Sequence, residues 1–123
     1  MKAFKDLALS RRSIRKYTNE KITDECIKEI ISTALIAPTS KNSRPWYFMI
    51  INDTGIIERL SQCKKNGAIA LNTCTHAIVV MADPSKSEAW IEDSAIAASY
   101  IQLQAEDMGL GSCWIQIRER MYD

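Results

Sequence analysis

The chain has very little histidine and no closely spaced cysteines. Its 123 residues include one histidine, and its four cysteines form no C-x-x-C pair. Zinc sites usually need closer ligand spacing, and a hydrolase triad has little support without a second histidine or a G-x-S-x-G motif. We therefore expect no metal, a structural role for His76, and free buried thiols rather than disulfides. The cysteines are Cys26, Cys63, Cys74 and Cys113.

The chain also lacks a charge excess and long apolar runs. Its 16 basic and 15 acidic residues give a net charge of +1, which argues against a dedicated nucleic-acid binder. It has no 18-residue apolar run, and the starting stretch "MKAFKDLALS" carries charges, which predicts neither a membrane span nor a secretory signal. We expect a cytoplasmic protein with no membrane or nucleic-acid partner. Residues 1–123 are expected to form one domain, because no repeat or linker interrupts them.

Helical patterns occupy the first part of the chain. Residues 1–9 predict a short helix, and Thr23 is a plausible N-cap for a second one. Pro38 disfavours helical geometry at the preceding residue, so the second helix should end there. Its buried face is predicted from the i, i+3, i+4, i+7, i+8 spacing of Ile27, Ile30, Ile31, Ala34 and Leu35.

Strands and helices alternate in the rest of the chain. "WYFMIIN" (46–52) and "AIVVMAD" (77–83) predict strands, the first of them buried, and a helix between them should end near residues 66–67. Residues 88–108 predict a long helix whose small side chains suggest deep burial. Gly109 is a predicted left-handed C-terminal cap, followed by a third strand, "SCWIQIR" (112–118).

A basic segment, "SRRSIRKY" (10–17), crowds four cations around Ser13. A bound anion would relieve their mutual repulsion, and guanidinium groups suit phosphate oxygens. A solvated basic loop is the more common explanation of such a segment taken alone. A nucleic-acid patch is a third one, weakened by the near-neutral charge and the lack of interleaved aromatic residues.

A polar joint, "APTSKNSRPW" (37–46), separates the second helix from the first strand. Its hydroxyl and amide groups could simply cap the helix and form a turn. Alternatively, prolines at both ends would make it a rigid wall for a polar heterocyclic ligand. The residues alone leave both interpretations open.

These segments, in this order, resemble the FMN-dependent nitroreductase family. The resemblance rests on R-R-S-x-R at residues 11–15, on A-P-T-S-x-N-x-x-P-W at residues 37–46, and on G-L-G-S-C-W at residues 109–114. It covers nearly the whole chain. It implies an α+β fold, a three-layer α/β/α sandwich with a central, mostly antiparallel sheet and a long buried helix, in a dimeric protein.

The resemblance also implies which residues hold the cofactor. The basic segment would hold the FMN phosphate and ribityl chain, the polar joint would line the flavin from the other subunit, and the segment after the glycines would pass near the ring. In this sequence the matching residues are Arg11, Arg12, Ser13 and Arg15, then Pro38, Thr39, Ser40 and Asn42, then Cys113, Trp114 and Ile115. Arg12 or Arg15 is our hypothesis for the cation that favours reduced flavin.

The implied activity is an FMN-dependent oxidoreductase that moves hydride from NAD(P)H to a nitroaromatic, a quinone or a similar small acceptor. No protein acid or base is implied, because the cofactor carries the chemistry. The alternatives are a non-catalytic flavin or nucleotide-binding protein, or a basic anion-binding module.

Two departures qualify the resemblance. Arg44 stands where the family often has glutamine, and it could face the pocket or water. The chain ends at "RERMYD", whereas family members continue with further helices, a strand and a basic residue near the phosphate. This difference predicts an exposed sheet edge, lower stability and weaker FMN retention.

Overall fold

The structure is a computed structural model that describes residues 3–120. It has four α-helices and two strands: α1 (Phe4–Ser10), α2 (Asp24–Leu35), β1 (Trp46–Ile51), α3 (Thr54–Leu60), β2 (Ala77–Ala82) and α4 (Trp90–Asp107). Short 3-10 turns cover Ser40–Asn42 and Ile69–Asn72. Of the predicted first helix, residues 1 and 2 lie outside the described residues.

The sheet is an antiparallel pair whose two faces meet different helices. In the register, Trp46 lies opposite Ala82 and Ile51 lies opposite Ala77. Since side chains alternate along a strand, Trp46 and Phe48 share one face, where they pack with Ala97 of α4. Ile51 points to the other face and packs with Ile57 of α3 and with Leu71. A helix therefore lies on each side of the sheet, which confirms the predicted α+β layering.

Helix α2 begins at its predicted cap and buries most of its predicted face. The Thr23 hydroxyl accepts a hydrogen bond from the Cys26 N–H at 3.2 Å, and Ile27, Ile30 and Ala34 are buried. Leu35, in contrast, is 43% exposed. It lies roughly 80° around the helix from Ile27, at the margin of the apolar face.

Helix α4 packs against α2, the sheet and α1. It buries only Asp93, Ala97 and Ala105, so the prediction of deep burial holds for one face. Gly109 ends the helix with φ +76°, and the Leu110 N–H donates to the Ala105 carbonyl at 2.8 Å. This pattern is a Schellman cap, which confirms the predicted role of Gly109.

Three expectations about the elements were wrong. Helix α3 ends at Leu60 rather than near residues 66–67, because the N–H groups of Gln62 and Cys63 bond three residues back, to Arg59 and Leu60. Strand β1 is buried only at its two ends. Residues 112–118 form no strand beyond one parallel bridge between Ser112 and Ser13.

All four cysteines are free and half-buried rather than fully buried. His76 directly precedes β2, and its Nδ1 lies 3.1 Å from the Thr75 hydroxyl. Within residues 3–120, no helix has the length and apolar character needed to cross a bilayer.

Candidate functional site

The turn after α4 brings two of the predicted segments together. Its chain passes beside the basic segment, where the Ile14 N–H donates to the Ser112 carbonyl at 2.9 Å. Gly111 makes this approach possible, since a Cβ at that position would lie 3.1 Å from the Ile14 side chain. In addition, the Ser10 hydroxyl donates to a Glu106 carboxylate oxygen at 3.0 Å, which ties the end of α1 to α4.

A cleft of about 380 Å³ opens at this junction. It combines one guanidinium group, two hydroxyl groups and one amide with apolar side chains, the mixture that a ligand with an anionic end and a flat apolar part requires. Its lining residues are Ala8, Arg11, Ser13, Ser99, Gln102, Leu103 and Trp114.

Only some of the predicted residues of the basic segment face this cleft. Arg11 and Ser13 do. The Arg12 guanidinium instead donates to the carbonyls of Leu9 and Arg11, at 2.6 and 2.8 Å, and so caps the end of α1. Arg15 is exposed and does not line the cleft.

Of the three predicted residues after the glycines, Cys113, Trp114 and Ile115, only Trp114 lines the cleft. Trp114 lines the cleft, is 44% exposed, and its indole N–H donates to the Gln116 side chain at 2.9 Å. Cys113 is half-buried, and its thiol donates to the Trp114 carbonyl at 3.6 Å. Ile115 packs into the cluster around Ile51 on the α3 side of the sheet.

Tyr17, the last residue of the basic segment, makes two hydrogen bonds that hold the segment in place. Its N–H donates to the Thr73 hydroxyl at 3.0 Å, and its phenol donates to the Ile14 carbonyl. Burial raises the pKa of Tyr17 to about 12, with smaller contributions from Cys113 and Cys74, while Arg15 opposes the shift. Tyr17 therefore stays neutral below this pKa and acts as a hydrogen-bond donor that holds the backbone of the segment.

The polar joint lies apart from the cleft in the single chain, and its backbone is strained. Lys41, Asn42 and Arg44 adopt φ values of 54°, 53° and 48°, a region that residues with a Cβ rarely occupy. The joint leads into the fully buried Pro45, whose carbonyl accepts the Asp83 N–H at 2.9 Å. Arg44 is exposed, and of the predicted residues Pro38, Thr39, Ser40 and Asn42 none lines the cleft.

Sequence reasoning missed the wall that α4 contributes to the cleft. Ser99, Gln102 and Leu103 follow the i, i+3, i+4 spacing of one helical face. The polar Ser99 and Gln102 were the available signal, but Ser94 and Gln104 of the same helix are polar as well and do not line the cleft. Ala8 of α1 was also missed, and nothing distinguishes it in the sequence.

The fold and the cleft together define a class of protein: an α+β protein with a basic, partly apolar binding cleft. The family model named "Nitroreductase family" matches residues 8–84 and 59–122, and the chain belongs to that family. A protein of Archaeoglobus fulgidus, provisionally named an NADH dehydrogenase/NAD(P)H nitroreductase, is 36% identical over 115 residues, which is 90% of this chain and 66% of that protein.

Solved structures agree with the family assignment. An FMN-dependent nitroreductase of Clostridium difficile R20291 superposes with a TM-score of 0.92 at 50% identity, over 95% of this chain and 68% of that one. A provisionally named nitroreductase of Desulfovibrio desulfuricans, solved in complex with FMN, gives a TM-score of 0.83 at 26% identity, over 93% of this chain and 68% of that one. The chain spans between 51% and 66% of the first curated relatives it matches.

Proposed function

We propose that the chain binds FMN in the cleft between α1, the basic segment and α4, and that it acts as an NAD(P)H-dependent oxidoreductase. The observation that carries the proposal is the bridge between Ser13 and Ser112, which sets Arg11, Ser13 and Trp114 on one cleft. The proposal is further supported by the FMN complex of the Desulfovibrio relative.

The residues present suit FMN. The Arg11 guanidinium and the Ser13 hydroxyl can bind a phosphate or ribityl oxygen, since charge-assisted hydrogen bonds to phosphate are strong. Leu103 and Trp114 offer apolar surface to a flat ring. Ser99 and Gln102 offer hydrogen-bonding groups to its polar rim. The cleft volume of about 380 Å³ lies within the range typical of cofactor sites.

Bound FMN would supply the redox chemistry, taking a hydride from NAD(P)H and passing it to a nitroaromatic, a quinone or a similar acceptor. The side chains of this chain bind and orient the cofactor. The positive charge of Arg11 favours an anionic cofactor at this position. Arg15 and Arg12 remain hypotheses for the cation that favours reduced flavin. In the single chain Arg12 is already engaged by the α1 carbonyls.

The proposed site is completed by a second copy of the chain. Pro38, Thr39, Ser40 and Asn42 do not line the cleft of their own chain, and we assign them to the flavin of the partner in a homodimer. Apolar side chains beside this segment are available for such an interface, because Leu35 is 43% exposed and Ile36 is 75% exposed. Cys113 and Ile115 would contribute through their backbone near the ring.

An absorption spectrum tests the proposal. Purified protein incubated with FMN and freed of excess cofactor should keep a flavin spectrum that bleaches on addition of NADH or NADPH and returns with a quinone or nitroaromatic acceptor. A protein that retains FMN without oxidising either pyridine nucleotide is a flavin carrier. Failure to take up FMN, together with steeply salt-dependent binding to oligonucleotides, would identify an anion-binding module.

A further inference from the structure

One buried carboxylate lies between α4 and the polar joint. Asp93, in the first turn of α4, is only 2% exposed. One of its oxygens accepts the Ser40 backbone N–H at 2.9 Å. The other accepts the Ser87 hydroxyl at 2.8 Å and the Ser43 hydroxyl at 3.4 Å. Within residues 3–120 no cation forms an ion pair with it, so these donors and the helix N-terminus stabilise its charge.

The two joint residues that Asp93 holds flank two of the three strained residues of the joint. Ser40 and Ser43 lie on either side of Lys41 and Asn42, both of which have positive φ. Conformations of this kind persist only where surrounding contacts fix them. The remaining bonds of the turn are local, such as the Arg44 N–H to the Thr39 hydroxyl at 3.2 Å. The bonds to Asp93, in contrast, attach the turn to helix α4.

Helix α4 carries both this anchor and a wall of the cleft. Asp93 is in its first turn, whereas Ser99, Gln102 and Leu103 line the cleft from its second half. A single rigid helix therefore sets the position of the joint relative to the cleft of its own chain. In a homodimer, the same helix would set where each chain presents its joint to the partner.

We propose that Asp93 is a positioning residue for the flavin site: its carboxylate fixes the backbone of residues 38–45, so that Thr39, Ser40 and Asn42 reach the flavin of the partner in one orientation. This inference rests on the proposed FMN function. Asp93 itself contacts the joint and does not line the cleft.

The test compares Asp93→Asn with Glu92→Gln, which removes the same charge from the exposed neighbouring residue. The first readout is tryptic cleavage after Lys41, which lies in the joint. The other basic residue of the joint, Arg44, precedes Pro45, and trypsin cleaves poorly before proline. Cleavage after Lys21, outside the joint, serves as an internal reference. Loss of one charged hydrogen-bonding partner should speed cleavage after Lys41 about tenfold and weaken FMN binding about tenfold. Cleavage after Lys21 should not change, and Glu92→Gln should behave as wild type.

A spectroscopic readout separates positioning from general destabilisation. At saturating FMN, the visible circular dichroism of the flavin should differ from wild type in Asp93→Asn and not in Glu92→Gln. If Asp93→Asn does not fold, Ser87→Ala should shift all three readouts in the same direction by a smaller factor. It removes the 2.8 Å bond to Asp93 and the 3.1 Å bond that the Ser87 hydroxyl accepts from the Ala89 N–H, and leaves the carboxylate in place.

The outcomes are distinct. Faster cleavage after Lys41 with unchanged FMN affinity and dichroism would show that Asp93 only stabilises the turn, and would overturn the inference while leaving the FMN function intact. Unchanged cleavage in a folded Asp93→Asn protein would also overturn it. A wild-type protein that takes up no FMN would overturn the proposed function and, with it, this inference.

Discussion

Two adjacent arginines illustrate how position decides the use of a side chain. Arg11 lines the cleft, whereas the Arg12 guanidinium lies against the carbonyls of Leu9 and Arg11. At the end of α1 a cation satisfies carbonyls that have no helical partner and interacts favourably with the helix dipole. Arg11 is therefore available to a ligand in the cleft, whereas Arg12 stabilises the end of α1, although the two residues are identical in type and neighbours in sequence.

Substitution of each arginine by alanine should separate these roles. Arg11→Ala should weaken FMN binding tenfold or more, because roughly 1.5–3 kcal/mol is lost with a hydrogen bond to a charged group. Arg12→Ala should change FMN affinity little and instead lower the free energy of unfolding by about 0.5 kcal/mol. Flavin fluorescence titration and urea denaturation measure the two effects. Both variants remove one positive charge, so each controls for the other, and equal losses of FMN affinity would contradict the assignment.

At the scale of elements, the turn after α4 brings Trp114 and the basic segment to the same cleft. Gly109 and Gly111 lie two residues apart but are glycines for different reasons. Gly109 has φ +76° with open space around it, whereas Gly111 needs the absence of a side chain because Ile14 lies 3.1 Å from its Cβ position. The first glycine ends the helix, and the second lets the following residues approach the basic segment.

Alanine at these two positions should therefore give different results. Gly109→Ala should lower the free energy of unfolding by about 1 kcal/mol through left-handed strain and leave the FMN affinity of the folded protein near wild type. Gly111→Ala should push Ile14 away, disturb the bond from Ile14 to Ser112, and weaken FMN binding with a smaller loss of stability, since Ile14 is already 39% exposed. Thermal melts and FMN titration distinguish them, and the reverse pattern would refute this account of the turn.

Elements with strong local signals were predicted well. Thr23 caps α2, the two strands lie where their β-branched residues placed them, and Gly109 ends α4. Helix α3 was predicted too long, because local hydrogen bonds to the Arg59 and Leu60 carbonyls tighten its end into a turn, and residues 112–118 were predicted wrongly as a strand. Tertiary contacts hold residues 112–118 instead: the Ser112 carbonyl accepts the Ile14 N–H, and the Gln116 carbonyl accepts a hydrogen bond from the Lys64 ammonium group, both at 2.9 Å.

At the scale of the whole molecule, the single chain leaves much apolar surface in contact with water. Ile36, Met49 and Ile69 are exposed to 75%, 50% and 61%. Burying such side chains between two copies would be favourable. The proposed site also divides naturally between two chains, because the cleft and the polar joint of one chain do not meet.

Subunit mixing tests this division. Arg11→Ala impairs the cleft, and Ser40→Ala with Asn42→Gly impairs the joint while keeping the positive φ accessible. Neither variant alone should retain full FMN-dependent activity. After unfolding and refolding together, half of the dimers should be mixed and each should contain one intact site, which restores about a quarter of wild-type activity. No recovery on mixing would mean that both segments act within one chain.

Local sequence determined helices α2 and α4, the two strands, the Gly109 cap and the segments that carry the proposed site, because side-chain period, capping and glycine freedom act over a few residues. Tertiary structure decided which arginine faces the cleft and which face of α4 forms its wall. It also decided that Asp93 holds Ser40 from 53 residues away. The reason is physical: a hydrogen bond across that separation depends on the path of the whole chain, and no short stretch of sequence contains that path.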